Sequence, residues 1–342
     1  MIPKYIDSVQ VKEILTWPLV NAAVEEALKA IDYSERDAAN SEQSYKQQPS
    51  RTITTGGNAS KLLLTMPGYV GNYNALNAKT NNDQLHCSST LACKVVTSFT
   101  NNQNLQPPLP NILANVLLFD INTGELQCIM EGTQITAWRT AAASIVATKY
   151  LYMKRFPQQF QTPIKLAIIG CGVQGQSHAL GMCATFNVSE IYLWNRTQFK
   201  ADDLALKLQK LYLQNSMKIF VTKTPAEAVR EAAVICIGTY SPNALINYDM
   251  LKSGDVHINT VGAGAVHFGE VSQDIYDNAV VYVDSLINAR TELKDLKANI
   301  IGEIGQVIRE DRRTENKCLT IYQSLGMAAE DATVAQAVYN AL

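Results

Sequence analysis

Residues Ile164–Thr197, with the sequence IKLAIIGCGVQGQSHALGMCATFNVSEIYLWNRT, predict a strand, a glycine-rich turn, a helix and a second strand. The segment Ile164–Ile169 is apolar and rich in β-branched residues, as in a strand that is buried on both faces. A turn of the form G-x-G-x-x-G follows at Gly170–Gly175, and a second apolar run, Ile191–Trp194, follows the helix. This order is typical of a unit that binds a dinucleotide cofactor.

Each glycine of the turn has a separate expected task. Gly170 permits the tight turn, Gly172 lets a pyrophosphate approach the backbone, and Gly175 lets the helix pack against the strand. Val173 and Gln174 begin the helix, whose N–H groups and dipole favour phosphate groups. These five residues are therefore predicted to bind the cofactor. The alternative is a glycine turn without a ligand.

The end of the second strand predicts which nicotinamide cofactor is bound. Proteins that bind NAD usually place Asp or Glu about 20 residues after the glycines, where it binds the ribose hydroxyls. Here the strand ends in Asn195, Arg196 and Thr197, Lys200 follows, and the first carboxylate is Asp202. A guanidinium group would bind the 2′-phosphate that a carboxylate would repel. We therefore predict that Asn195, Arg196 and Thr197 bind NADPH, against the alternative that Arg196 is a solvated loop charge.

The composition is that of a globular chain with about two domains. The chain has 342 residues, of which 47% are apolar, enough to form sizeable cores. The net charge of −2, from 29 basic and 31 acidic residues, gives no electrostatic reason to expect nucleic acid or an anionic membrane as a partner. The chain contains no run of 18 apolar residues, and residues 1–10 have no apolar signal-peptide core, so neither a membrane span nor secretion is predicted.

The cysteines and histidines predict reduced thiols and no metal site. Seven cysteines form an odd set without a C-x-x-C pair, as in a cytoplasmic protein. The four histidines are scattered, and no pair has the spacing of metal ligands.

After residue 163 the chain alternates between predicted strands and helices. Strands are expected at 164–169, 190–195, 218–222, 233–238, 256–261 and 280–284. This alternation is typical of a doubly wound, largely parallel sheet, whose ligand lies outside the carboxyl ends of the strands. Thr239 and Val261 follow two such ends and are predicted to line the nicotinamide side. By spacing alone, ordinary strand-ending turns explain them equally well.

The first 130 residues predict one helical region and a mostly antiparallel sheet. Residues 11–33 have helical periodicity, with Pro18 either bending one helix or dividing two. Strands are expected at 51–55, 62–66, 91–99, 115–120 and 126–130. The Asn-rich segment 70–89 is predicted to be a surface loop, and 35–49 a polar loop.

Two Ala-rich helices complete the prediction. The first covers 136–151, with Thr133 or Thr136 as its N-cap. The second covers 327–342, where Glu330 and Asp331 in the first turn suit the helix dipole.

Motifs along the whole chain resemble the ornithine cyclodeaminase/mu-crystallin family, and within it the ketimine reductase branch. They are Gln48–Thr52, Met66–Tyr69, Cys93–Val96, Thr136–Ala142, Gly170–Gln174, Trp194–Thr197, Tyr282–Ser285 and Ser324–Met327. They occur in the order found in the family and are together far more specific than any one of them.

The resemblance implies a two-domain α/β fold. A Rossmann-type, doubly wound NADPH-binding domain, 136–314, would be inserted in an α+β substrate-binding and dimerisation domain made of 1–135 plus 315–342. Residues 136–163 would form its connecting helix and linker. The sheet of the substrate domain would form a homodimer.

The resemblance also implies a site for the substrate carboxylate, surrounded by Arg51, Lys94 and Arg139. Guanidinium groups hold carboxylates with bidentate geometry, which suits this role. Without the resemblance, these three residues are as readily explained as solvent-facing charges. Arg139, Thr140 and Asn111 match family positions near the nicotinamide and phosphates, although Asn111 differs from the small hydroxyl residue expected there.

One departure from the family disfavours ornithine cyclodeamination. The cyclodeaminases carry a ring-closing aspartate at the position of Gly264, which has no side chain. Hydride transfer from NADPH to a small cyclic ketimine bearing a carboxylate remains, and it depends mainly on positioning. Lys94 would supply a proton or only anchor the carboxylate.

Two other functions are also considered. The first is an amino-acid dehydrogenase that acts on a 2-oxo acid and an amine. The second is a non-catalytic, NADPH-dependent binder of a small carboxylate such as a thyroid hormone, which the resemblance allows.

Overall fold

The computed structural model describes residues 2–35, 43–58, 60–76, 85–154, 163–212, 216–239, 241–262, 270–310 and 317–342. The chain divides into two compact units. The split unit consists of Met1–Arg139 and Gly326–Leu342, and the inserted unit is Thr140–Leu325. The first division falls inside one helix, between Arg139 and Thr140.

The split unit contains one sheet and the helices that cover it. Its strands are β1 (Lys4–Ile6), β2 (Ile31–Asp32), β3 (Tyr45–Gln47), β4 (Thr52–Thr55), β5 (Lys61–Leu76), β6 (Leu85–Phe99), β7 (Ile112–Phe119) and β8 (Leu126–Glu131). Its helices are α1 (Ser8–Ile14), α2 (Trp17–Lys29), the start of α3 (Thr133–Thr148) and the last helix of the chain (Ala328–Ala341). The strand order is β1-β8-β7-β6-β5-β3-β2, and β4 also pairs with β5.

Two long strands replace much of the predicted loop 70–89. β5 and β6 pair antiparallel as far as Leu76 and Leu85, so the loop prediction is wrong at both of its ends; residues 77–84 lie outside the described part of the chain. β5 also continues through Pro67, where the sequence analysis ended it. Proline fits here because β4 pairs only with 62–65 and β3 only with 69–71, which leaves a gap in the ladder on that side.

Two helix boundaries differ from the predictions for local chemical reasons. The predicted helical region 11–33 consists of two helices, because Thr16 caps α2 and Pro18 lies in its first turn, where a missing N–H costs nothing. The region also ends earlier than predicted, because Ile31–Asp32 forms β2. α3 begins earlier than predicted, at Thr133, and its cap is neither threonine. The carboxylate of Glu131 accepts from the N–H groups of Thr133 and Gln134.

The inserted unit is built on a parallel sheet. Its strands are β9 (Ile164–Ile169), β10 (Val188–Trp194), β11 (Lys218–Val221), β12 (Val234–Ile237), β13 (Val256–Thr260), β14 (Val280–Val283), β15 (Ile300–Glu303) and β16 (Leu319–Gln323). Its helices are α4 (Val173–Thr185), α5 (Gln198–Leu211), α6 (Pro225–Val229), α7 (Gln273–Asn278), α8 (Leu286–Glu292) and α9 (Ile304–Glu310). With these, the last helix of the chain is α10.

The strand order is β11-β10-β9-β12-β13-β16-β14-β15, and every pair is parallel. The order reverses at β9, so the point where ligands bind in such sheets lies beside the end of β9. The predicted α/β fold with a doubly wound parallel sheet is confirmed. β15 and β16 were not predicted, and β16 shows that 319–323 belongs to this sheet rather than to the substrate domain assigned from the sequence.

A chain of buried polar side chains crosses the inserted unit behind α4. His178 donates from Nδ1 to the carbonyl of Gln174 (2.8 Å), so its Nε2 accepts from Ser144 (2.9 Å). Further along, Asn259 donates to Thr148 and accepts from His257, whose Nδ1 lies 2.8 Å from the Thr320 hydroxyl. Burial lowers the pKa of both histidines to about 4, so both are neutral at pH 7.

All seven cysteines are free thiols. Within the described ranges, no helix is both long enough and apolar enough to cross a bilayer.

Candidate active site

The glycine-rich turn between β9 and α4 has the geometry that the motif predicts. Gly170 has a φ of +96°, and a Cβ built on it would lie 2.6 Å from the carbonyl oxygen of Gly238. A Cβ on Gly175 would lie 1.7 Å from the carbonyl oxygen of Gly170. A Cβ on Gly172 would meet nothing within 4 Å. The open space lies at the N-terminus of α4, and the two crowded glycines make the turn possible.

The end of β10 is tied directly to this turn. The side chain of Asn195 accepts from the N–H of Cys171 (2.9 Å) and donates to the carbonyl of Thr197 (2.9 Å). Asn195 therefore fixes both the turn and the loop that carries Arg196. Arg196 itself is solvent-exposed, as is Thr197. An exposed guanidinium at this end of β10 is available to an anionic group of a cofactor.

A buried carboxylate that the sequence analysis missed, that of Glu270, joins the ends of β12 and β13. Its Oε1 accepts from the N–H (2.6 Å) and the hydroxyl (2.8 Å) of Thr239, and its Oε2 accepts from the N–H of Gly262 (3.1 Å). Val261 lies between these bonded groups, and its N–H bonds to Ile237 (3.3 Å). The two positions predicted to line the nicotinamide are thus held at one edge of the sheet. Burial raises the pKa of Glu270 to about 7.

The split unit brings Lys94 and Arg139 together with two carboxylates from α10. The Lys94 Nζ lies 2.6 Å from Asp331 Oδ2, and Arg139 bonds Asp331 Oδ1 through Nε (3.1 Å) and Glu330 Oε2 through Nη1 (2.9 Å). We call Lys94, Arg139, Glu330 and Asp331 the ion cluster. All four side chains are buried. The two positive and two negative charges cancel, as buried ions require.

The environment of Lys94 in the ion cluster moves its pKa toward neutral pH. Burial, with only 2% of the residue exposed, lowers the pKa of Lys94 to about 8. The nearby charge of Arg139 lowers it further, whereas the charge and hydrogen bond of Asp331 and the charge of Glu330 oppose that change. Lys94 is therefore protonated at pH 7 but releases its proton far more readily than an ordinary lysine.

Arg51 approaches the same region through Gly326. Its Nη2 donates to the Gly326 carbonyl (3.2 Å), and a Cβ on Gly326 would lie 2.7 Å from Arg139 Nη1. Gly326 has a φ of +78°, so both its conformation and its contact with Arg139 require glycine. Nearby, the side chain of Gln48 accepts from the N–H of Ala329. Arg51 and Arg139 therefore both contact Gly326.

The predicted site residues are thus distributed over both units. Lys94 and Arg139 lie in one cluster, and Arg51 shares Gly326 with Arg139. Thr140 follows on α3 and is buried. Asn111 lies just before β7, and its carbonyl accepts from the N–H of Phe99. It is five residues along the chain from Val116, which pairs with Lys94. That separation is about 17 Å along a strand, so Asn111 does not join the ion cluster.

From the sequence, Glu330 and Asp331 were predicted only to suit the dipole of α10. They are instead buried ion-pair partners. The signal that could have identified them was the pairing of two adjacent acids with a motif rich in small apolar residues, at 326–329. Gly264 lies outside the described residues.

The comparisons with known proteins identify a family for the chain. The sequence model of the ornithine cyclodeaminase/mu-crystallin family matches residues 12–342. The ketimine reductase mu-crystallin of Rattus norvegicus is 33% identical over 296 residues, which cover 86% of this chain and 84% of the relative. A Delta(1)-pyrroline-2-carboxylate reductase of Bacillus cereus is 33% identical over 266 residues, which cover 73% and 76%.

Two solved structures share the fold. One is the Delta(1)-pyrroline-2-carboxylate reductase of Thermococcus litoralis in complex with NADH and L-proline, with a TM-score of 0.78 and 24% identity over 98% of this chain and 96% of the other. The second is an archaeal alanine dehydrogenase dimer with bound NAD, with a TM-score of 0.78 and 23% identity over 99% and 96%.

Proposed function

The chain belongs to the ornithine cyclodeaminase/mu-crystallin family, and from that membership we propose that it reduces the C=N bond of small cyclic ketimines that carry a carboxylate, with NADPH as the reductant. The observation that carries this proposal is the ion cluster. A buried lysine with a pKa of about 8, in one cluster with Arg139, would supply both an anchor for a carboxylate and a proton. The relatives named as imine reductases support the reaction class.

The two units supply different parts of this function. The inserted unit holds the cofactor through the turn at Gly170–Gly175 and the braced ends of β12 and β13. The split unit binds the substrate carboxylate through Arg51 and Arg139. Guanidinium groups suit this role because they hold a carboxylate with bidentate geometry.

The reaction needs one hydride and one proton. When bound, a reduced nicotinamide supplies the hydride to the imine carbon. Lys94 gives the proton that the imine nitrogen acquires, so the C=N bond becomes a C–H and an N–H bond. Lys94 is left neutral and regains its proton from water.

The choice of NADPH over NADH rests on Arg196. It is exposed at the end of β10, on a loop that Asn195 fixes, and no carboxylate precedes Asp202 in that loop. A positive charge there favours a 2′-phosphate, and a ribose-binding carboxylate is missing from the usual position.

The test measures NADPH oxidation with five-, six- and seven-membered cyclic ketimine carboxylates and, separately, with pyruvate plus ammonia. Turnover of at least one ketimine with much lower activity on pyruvate plus ammonia is expected. Turnover of pyruvate plus ammonia alone would identify an amino-acid dehydrogenase instead. An unchanged NADPH signal with every substrate, together with saturable binding of a thyroid hormone, would replace catalysis with a binding role.

We also propose that the protein is a cytoplasmic homodimer, formed through the sheet of the split unit. α2 and α10 cover one face of this sheet. The other face presents Leu63 (40% exposed), Leu91 (36%) and Leu113 (40%) on three neighbouring strands. Leu63 and Leu113 lie on either side of Thr97, and Leu91 lies six residues away on the same strand and face. Exposed apolar side chains on one face of a sheet favour self-association. Leu91→Glu should yield monomers in light scattering, and a monomeric parent chain would contradict the proposal.

A further inference from the structure

Asp331 contacts both cations of the ion cluster. One carboxylate oxygen lies 2.6 Å from Lys94 Nζ, and the other accepts from Arg139 Nε at 3.1 Å. We propose that Asp331 is a positioning residue for proton transfer, which holds Lys94 in place and charged although a second cation lies beside it. This inference rests on the proposed reduction of a C=N bond, in which Lys94 supplies the proton.

The strands around Lys94 leave this task to α10. Lys94 on β6 lies opposite Met66 of β5 and Val116 of β7, so its direct cross-strand neighbours offer no charge. α10 packs on the same face of these strands. The carboxylates that act on Lys94, Asp331 and Glu330, come from the first turn of that helix.

The sequence brings this helix unusually close to the sheet. A Cβ on Gly68 of β5 would lie 2.9 Å from the backbone carbon of Ala328, so only glycine permits the observed approach. The hydroxyl of Thr333 donates to the carbonyl of Ala23 (2.9 Å), which ties the first turns of α10 to α2. Asp331 is thus held at a fixed distance from Lys94 by contacts on both sides of it.

The electrostatic balance shows what Asp331 does for Lys94. The charged groups that face Lys94 are Arg139 from α3 and Glu330 and Asp331 from α10. Burial and Arg139 favour the neutral amine, whereas Asp331, through its charge and its hydrogen bond, and Glu330 favour the ammonium. Asp331 is the larger of the two opposing influences. Without it, Lys94 would lose its proton at a lower pH and could not donate it.

The first test compares the pH dependence of kcat for ketimine reduction in the parent chain and in Asp331→Asn, Glu330→Gln and Asp331→Glu. The alkaline limb of the parent is expected near pH 8. Asp331→Asn should move this limb down by about one pH unit or more. Glu330→Gln should lower the pH of this limb by a smaller amount. Asp331→Glu should leave the limb close to that of the parent, because the negative charge is kept. Asp120→Asn, a matched change on an exposed turn of the same unit, should leave the limb in place.

The result that overturns the proposal is an alkaline limb that does not move in Asp331→Asn while kcat falls equally at all pH values. That pattern would identify a purely structural residue. Thermal unfolding shows which variants fold. If Asp331→Asn does not fold, the test uses Glu330→Gln instead. An alkaline limb that stays at the same pH or moves to higher pH in this variant contradicts the proposed electrostatic balance.

A second measurement does not depend on turnover. The Cε resonance of Lys94, labelled with carbon-13 lysine and assigned with Lys94→Arg, reports the pKa of this lysine in the folded protein. A lower pKa in Asp331→Asn supports the proposal even if no ketimine is reduced, in which case only the proposed function fails. An unchanged pKa refutes the role of Asp331 whatever the activity.

Discussion

At the turn of the inserted unit, the groups that would meet a ligand are backbone N–H groups within six consecutive residues, Gly170–Gly175. In the ion cluster of the split unit, Lys94, Arg139 and Asp331 come from β6, α3 and α10, and the groups that meet are side chains. The turn depends on the absence of side chains, since Cβ atoms at two of its glycines would collide with backbone. The cluster depends on the mutual neutralisation of four buried charges. A backbone site is therefore sensitive to volume, and a side-chain site to charge.

The largest expected effect is on the backbone site. Gly175→Ala places a methyl group 1.7 Å from the Gly170 carbonyl oxygen, so the turn cannot keep its geometry. We expect loss of measurable NADPH binding by fluorescence titration and a lower melting temperature. Gly172→Ala is the matched control, because its Cβ meets no protein atom. It should melt like the parent and bind NADPH more weakly, since only the cofactor occupies that space. An equal decrease in melting temperature in both variants would contradict the different steric roles of Gly175 and Gly172.

The next largest effect is on the charge site. Lys94→Met keeps most of the volume but removes the proton donor and leaves Asp331 with one cation fewer. We expect kcat for a ketimine to fall by a factor of about 100–1,000, in the range for a lost general acid. Near-normal turnover at saturating substrate would mean that Lys94 only anchors the carboxylate. Lys46→Met, at another buried lysine of the same sheet, should retain turnover if it folds.

The third effect concerns the predicted contact between Arg196 and the 2′-phosphate of NADPH. Arg196→Asp should raise the KM for NADPH by a factor of about 10–100, because a carboxylate would face the 2′-phosphate. The KM for NADH should change little or fall. Arg230→Asp, an exposed arginine of the same unit, controls for the change in net charge. An unchanged KM ratio in Arg196→Asp would show that Arg196 is a solvated residue.

The smallest effect is the response of the inserted unit to acid. Folded His178 and His257 have a pKa of about 4, whereas unfolded histidine titrates near 6.5. Between these values the unfolded chain binds more protons, so the free energy of unfolding falls as the pH drops. At pH 5.5 the loss is about 1.5 kcal/mol for each histidine. Urea unfolding at pH 7.5 and 5.5 measures it, and His178→Asn should show a smaller difference than the parent. Equal differences would contradict the burial of an uncharged His178.

The parts of the fold that the sequence predicts are those governed by local rules. The run Ile164–Ile169 matches β9 to the residue because a strand buried on both faces has no polar interruption. The predicted strand at 62–66 is shorter than β5 because a proline usually ends a strand. Pro67 does not end β5, because it lies at the gap between the residues that pair with β4 and those that pair with β3. The Asn-rich segment after Val70 has no periodicity, although pairing with β6 extends it to Leu76.

The candidate site shows the same limit. The glycine turn can be predicted because its residues are consecutive and each has a steric reason. Lys94 and Arg139 were identified through family resemblance, since nothing in a single strand or helix shows that a distant carboxylate balances them. Glu330, Asp331 and Glu270 were missed for that reason. Each acts through partners that only the tertiary structure brings near.

The exposure of Arg196 and the burial of the ion cluster imply different responses to dissolved salt. Mobile ions surround an exposed guanidinium and weaken its attraction for a phosphate, over a screening length of about 8 Å at physiological ionic strength. They cannot enter the space between Lys94 and Asp331, which is closed to solvent. Rising ionic strength should therefore lower the affinity for cofactor well before it changes the state of the lysine. At high salt concentration, binding of the cofactor would limit the proposed reaction, whereas the protonation of Lys94 would be unchanged.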